Sequence, residues 1–235
     1  MDSFFRDLRE DCPRIAISFD RLCENDLRKI ASLVSRIEEV LQLGIGHHKE
    51  NDLMCRCAVL LVNSTNSLVA ATQLLRYGFT LQPGILVRTI LEQISTVLHL
   101  ISHPSDLSKI LRGSFDLTDT IKSAKEILPI FGRLYGYFSG LHSHISDYHV
   151  TVHPLKEYSE RSEGLEANLD YLMISVLLIH MTAELRFFDQ VKITYYWKHV
   201  GHGKFQYQPS TEAQAWIDDM AGHMLRGTTP SKLQP

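Results

Sequence analysis

The chain has 235 residues, 44 % of them apolar and 22 % charged, with a net charge of −3. That balance excludes a disordered chain, because enough apolar surface is present to offset chain entropy, and it suits one large domain or two small ones. Lys and Arg are scattered without a basic run, so a partner held mainly through nucleic-acid phosphates is disfavoured, with RNA left open.

The opening MDSFFRDLREDCPR is acidic where a secretory signal would be basic and then apolar. The first predicted helix carries Leu27, Ile30, Val34, Ile37 and Leu41 at steps of three or four, with Asn25 or Asp26 as its cap and Gly44 and Gly46 as its stop. A second helix is expected from about Asp52 to Tyr77, closed by Gly78. Its uncharged run, Cys57 to Leu75, has the length of a membrane span, but the polar centre Asn63-Ser64-Thr65-Asn66-Ser67 would be costly in hydrocarbon. The expectation is a soluble, cytoplasmic protein without a membrane partner. Cys12, Cys23, Cys55 and Cys57 form neither a disulfide framework nor a zinc ribbon, and read as reduced thiols.

A third helix runs from Pro83 to Ser102. At about 100° per residue, Arg88, Glu92, Ser95, His99 and Ser102 fall on one strip, and Arg88 and Glu92 stand at pairing distance along the helix. The strip is either a solvated face or a face covered by other helices, with a guanidinium and a carboxylate paired inside. A short helix from Ser105 or Asp106 to Arg112 follows, then DLTDTIKSAKEIL, capped by Asp116 or Thr118, and a segment starting at Pro129.

Residues 145–160 change character. VTVHP is β-branched and ends in Pro, so an extended or loop insertion is expected. His142, His144, His149 and His153 crowd this region. Imidazoles are good zinc ligands, and these four are the candidate metal ligands, although their spacing matches no known metal signature. Capping of helix ends and loop carbonyls is the competing account. A long apolar helix then spans SERSEGLEANLDYLMISVLLIHMTAELRFFDQV, with His180 one turn before Glu184. There a core histidine held by a carboxylate is expected, with a ligand pair as the rarer alternative. GHGKFQYQPS reads as a turn-rich connection, hairpin or loop, before a last helix, TEAQAWIDDMAGHML.

The fold class is therefore all-α: a bundle of roughly seven or eight helices forming one domain over residues 1–226, with a tail at 227–235. No phosphate-binding loop, dinucleotide fingerprint or nucleophile elbow occurs, and no cofactor is implied.

Three stretches carry a resemblance: LLRYGFTLQPGILVRTILEQISTVLHL, LYGYFSGLHSHIS and the apolar helix before Phe187. Together they resemble a bacterial family of all-helical proteins of unknown function. Its pattern falls here on Leu74, Leu75, Arg76, Gly78, Arg88, Glu92, Tyr135, Ser139 and His142. After His142 the chain departs from that pattern, leaving His142 and His144 as rivals for the family's histidine. The resemblance implies a helical bundle with a polar cluster of Arg88, Glu92, Tyr135, Ser139 and a histidine.

A looser resemblance is to the helical ribonuclease domains of prokaryotic toxin and antiviral systems. Arg133 precedes His142 here by more than that motif allows. Three functions follow as expectations. The first is a non-enzymatic, homodimeric helical bundle of a stress or phage-defence system, whose polar cluster is structural or binds a small ligand. The second is a metal-independent ribonuclease in which Arg88 or Arg133 stabilises phosphate charge and His142 or His144 is the acid or base. The third is a metal-dependent hydrolase using the four histidines.

Overall fold

A computed structural model describes residues 6–46, 52–142, 149–150, 153–201 and 204–226. Among the described residues the fold is an all-α bundle of eight helices with one small antiparallel hairpin. A wide turn at Asp7–Asp11 leads into α1 (Cys12–Gly46), followed by α2 (Leu53–Arg76) and α3 (Gln82–Ser102). Short α4 (Leu107–Leu111), α5 (Leu117–Ile127) and α6 (Ile130–His142) come next, then α7 (Glu163–Arg186) and α8 (Thr211–Arg226).

Helix α1 begins well before the expected cap. Ile15, Phe19 and Cys23 continue the buried stripe that Ile30, Leu33, Ile37 and Leu41 extend, and Pro13 suits a first helical turn. Asp26 caps nothing; it is buried mid-helix and accepts from Arg161 Nη1 at 2.5 Å. Gly44 also lies inside the helix, where a Cβ would overlap the Phe187 ring. Asp52 caps α2 through Met54 N at 2.7 Å. Gly78, at φ +90°, ends that helix in the left-handed conformation that glycine adopts at least cost.

The polar middle of α2 divides by face. Ser64 and Thr65 are buried, with Ser64 donating to Gln93 of α3 at 2.9 Å, while Asn63 and Asn66 face outward. Asp116 caps α5 through Thr118 N at 2.8 Å.

Helix α7 is apolar on all sides because it is the centre of the bundle, touching α1, α2, α3 and α8. It starts at the cap Ser162 and stops at Arg186, short of the expected Val191. By length and composition, α2, α3 and α7 could each cross a membrane; within the fold, 72 % of the α7 window is buried by the other elements.

Residues 153–162 have no regular structure and lie as a strap across α1 and α2. Tyr158 donates to the Leu75 carbonyl at 2.6 Å, and its amide donates to Ser18 Oγ at 2.9 Å. The connection after α7 holds β1 (Trp197–His199) paired with β2 (Phe205–Tyr207), Lys198 opposite Gln206. All four cysteines are buried free thiols. The tail at 227–235 lies outside the described residues.

Candidate functional site

Arg88 and Glu92 form the ion pair that their spacing implies, Nε to Oε1 at 3.0 Å, with side chains 32 % and 29 % exposed. Tyr135 of α6 covers them from one side. Its hydroxyl donates to Glu92 Oε1 at 3.4 Å, and Arg88 Cζ stands 6.0 Å from its ring centroid. Ser139 follows one turn on, half-buried. His142 ends α6 two turns beyond Tyr135, about 10 Å along the axis; its side chain, and all of His144, lie outside the described residues. The helix strip is thus partly covered at this end, and a half-solvated pair of this kind stabilises by about 1 kcal/mol at most.

His149 and His153 are described, and His153 Nδ1 lies 3.2 Å from Thr80 Oγ1. Among the described residues no three His, Cys, Asp or Glu side chains converge on one point.

Further along the same α3 strip, Ser95 and His99 are fully covered by α5. Ser95 bonds Thr120 at 3.0 Å. His99 bonds Ser123 Oγ through Nδ1 at 2.9 Å and Asp106 Oδ2 through Nε2 at 3.0 Å, and stacks on His103 at 4.5 Å. The order Ser, His, Asp has the connectivity of a nucleophile relay. His99 is only 4 % exposed and Ser123 7 %, so the hydroxyl has no approach for a substrate, and the network ties α3, α4 and α5 together.

The second buried histidine sits differently. His180, in the C-terminal third of α7, is 2 % exposed, and its Nδ1 lies 3.1 Å from the hydroxyl of Tyr196, itself fully buried. Its Nε2 has no hydrogen-bond partner among the described residues. The ring lines a half-open cavity of about 340 Å³ bounded by α1, α7 and the segment 190–195. Val40, Leu43, Val191 and Ile193 form its apolar walls.

One turn after His180, Glu184 also lines the cavity. It does not hold the histidine, as the sequence suggested. Its carboxylate instead accepts backbone N–H groups from Tyr195 at 2.7 Å, Tyr196 at 2.8 Å and Trp197 at 3.0 Å, fixing the chain into β1. Burial raises the Glu184 pKa, against the pull of those three donors.

Arg36 of α1 forms another wall. It donates to Tyr195 Oη at 2.5 Å, pairs with Glu212 at 3.2 Å, and lies 4.6 Å from the Trp216 ring centroid. Burial first, and the Arg36 charge second, push His180 down to about 4, so the imidazole is neutral at neutral pH. Burial first, and the Glu184 charge second, push the Tyr196 phenol up, so it stays protonated.

A larger groove of about 680 Å³ runs along α1 and α2, but it is more open, and its rim residues Asp20 and Arg76 already pair at 2.5 Å. A smaller pocket of about 280 Å³ between α6 and α7 is almost wholly apolar, with nothing to orient a ligand. The His180 cavity combines concavity, apolar walls and a few convergent polar groups, the usual makeup of a small-molecule site.

Sequence reasoning noted His180 and Glu184 as a pair but missed Arg36, Tyr195, Tyr196 and Trp216, which no spacing rule connects. The one available signal was a histidine and a glutamate a turn apart in an otherwise apolar helix. Comparison with protein-family models, curated proteins and solved structures finds no match to this chain.

Proposed function

We propose that this chain is a non-enzymatic, cytoplasmic helical-bundle protein that binds a small molecule in the cavity beside His180. The observation that carries the reading is a buried imidazole with a single hydrogen bond, to Tyr196, that lines a half-open cavity. Buried polar atoms normally have partners, so a roomy cavity at an unpartnered nitrogen is where a partner from outside would bind. At about 340 Å³ the space lies at the lower end of ordinary ligand pockets, roughly 300–1,000 Å³.

The test is a screen of small anionic, neutral and cationic compounds against the labelled chain by NMR. At least one class is expected to shift the Tyr195 and Val191 amides, and Leu43→Trp, which fills the cavity, should abolish those shifts. If every compound leaves these resonances in place, the reading fails.

A second reading, a metal-independent ribonuclease, draws on Arg88 lying against Tyr135 on the helix that ends in His142. It predicts RNA cleavage by the purified chain that His142→Ala removes; intact RNA with the unaltered chain would dismiss it.

A further inference from the structure

Of the three described helices that are long and apolar enough to cross a membrane, α2 is the least covered. Only 39 % of its most apolar window is buried, against 56 % in α3 and 72 % in α7. From Cys57 to Leu75 it carries no charge, yet Val59, Asn63, Asn66, Val69 and Ala70 are exposed on it. A solvated helix face normally carries charge, as α1 does at Arg21, Glu24, Arg28, Glu38 and Glu39.

We propose that this face pairs with a second copy of the chain. The two α2 helices run antiparallel about a two-fold axis near Asn66, each laid into the groove between α1 and α2 of the other copy. The proposal is independent of the His180 cavity and gives the homo-oligomer expected from the sequence a surface.

The spacing along α2 suits such a pairing. Val59, Asn63, Asn66, Ala70 and Gln73 recur at steps of four and three, the repeat that keeps one helix against another along a seam. All five are uncharged, so two copies of the ridge meet without like charges at the axis. Asn66 stands midway between Val59 and Gln73, and an amide both donates and accepts, so it can bond its own counterpart across a two-fold axis.

Beside the ridge, the α1–α2 seam is hollow. Leu27, Ala31, Val34 and Val69 line the groove of about 680 Å³, and Leu41, Ile45 and Val62 line a further hollow of about 190 Å³. A ridge next to a groove on one surface is what an isologous interface needs, because the axis carries each ridge into the other copy's groove. A single peptide in the groove would leave the ridge bare.

Lipid fits less well. The side chains of Asn63 and Asn66 make no hydrogen bond among the described residues, and two amides in the middle of the face would be costly in hydrocarbon. The area suits a protein partner. The 24 residues of α2 span about 36 Å, and ridge and groove together are about two helices, roughly 20 Å, across. The product, roughly 700 Å², is close to the roughly 800 Å² that each partner contributes to a stable complex.

The experiment is sedimentation velocity on the unaltered full chain over a range of concentrations. A dimer is expected. Val69→Glu on the ridge side and Ala31→Arg on the groove wall should each raise its dissociation constant at least about tenfold, since each brings two unpaired charges into the interface. Leu111→Glu, at an exposed position on α4, should leave it unchanged. Asn66→Cys, in a chain whose four native thiols are buried, should give a covalent dimer with a short bismaleimide, and Leu111→Cys should not.

If one interface variant does not fold, the other and the cross-link decide. A chain that stays monomeric throughout overturns the proposal, as does a dimer that both variants leave at full strength. A monomer that binds phosphatidylcholine vesicles, with binding lost in Val69→Glu, assigns the face to lipid and overturns it too.

Discussion

Two buried histidines, one in the last turn of α3 and one in the C-terminal third of α7, do opposite things in this fold. His99 on α3 has both ring nitrogens satisfied, by Ser123 and Asp106, and is closed in by α5. His180 on α7 has one nitrogen satisfied, by Tyr196, and lines a cavity of about 340 Å³. Burial is nearly the same, 4 % against 2 % exposed. What separates a structural histidine from a candidate site is therefore the accounting of its hydrogen bonds and the space beside it, not its depth.

The largest expected effect tests whether the His180 region is also a structural joint. Glu184→Ala orphans three backbone donors, at about 1–3 kcal/mol for each unsatisfied group. A loss on the order of 4 kcal/mol, read from urea unfolding, is expected; a loss below about 1 kcal/mol would mean that water replaces the carboxylate and the region is looser than described.

The second effect is a dependence on pH. The folded His180 pKa, about 4, lies below its ordinary 6.5, so the unfolded chain takes up the proton first as pH falls. Above about 6.5 both states are neutral and His180 contributes nothing to the slope. Between about 6.5 and about 4 stability should fall, by up to roughly 3 kcal/mol in all, and level off below.

Glu184 works the other way, since its raised pKa lets the native state gain protons as pH drops. Asp106, held below the usual carboxylate range by Lys109 first and His99 second, loses its contribution only under more acidic conditions. His180→Phe should therefore flatten the slope in this window. A slope unchanged in that variant would show that His180 is not the group responsible.

Much of this was legible in the sequence. The caps Asp52 and Asp116, the stop at Gly78 and the limits of α3 follow from local chemistry. The start of α1 was misplaced because Asn25 and Asp26 look like a cap in isolation. Tertiary packing of Ile15, Phe19 and Cys23 carries the helix straight through them. Gly44 read as a stop, yet its role is to admit the Phe187 ring. The Arg88–Glu92 pair was readable because both members lie on one helix. The cavity was not, because Arg36, His180, Tyr195 and Trp216 come from three distant stretches that only the folded bundle unites.

A third change sharpens the contrast by removing the other histidine. His99→Leu strips partners from Ser123 and Asp106, which keep bonds to the Asp119 carbonyl and to Lys109. A loss of about 2 kcal/mol is expected, with ligand binding at the His180 cavity unchanged. Loss of binding in this variant would couple the two regions and break the comparison.

The smallest effect tests the nitrogen accounting directly. Ser123→Ala leaves His99 Nδ1 without its partner at 2.9 Å while Asp106 still holds Nε2. That makes His99 resemble His180, one nitrogen paired and one not, but with helix α5 rather than an open cavity facing the free atom. The cost should be about 1 kcal/mol by urea unfolding, the ordinary penalty for one orphaned buried group. If a compound that binds the His180 cavity then perturbs His99 as well, an unpartnered imidazole is sufficient to attract it. If it perturbs His180 alone, the open space beside the ring is also required, which is the distinction the two histidines draw.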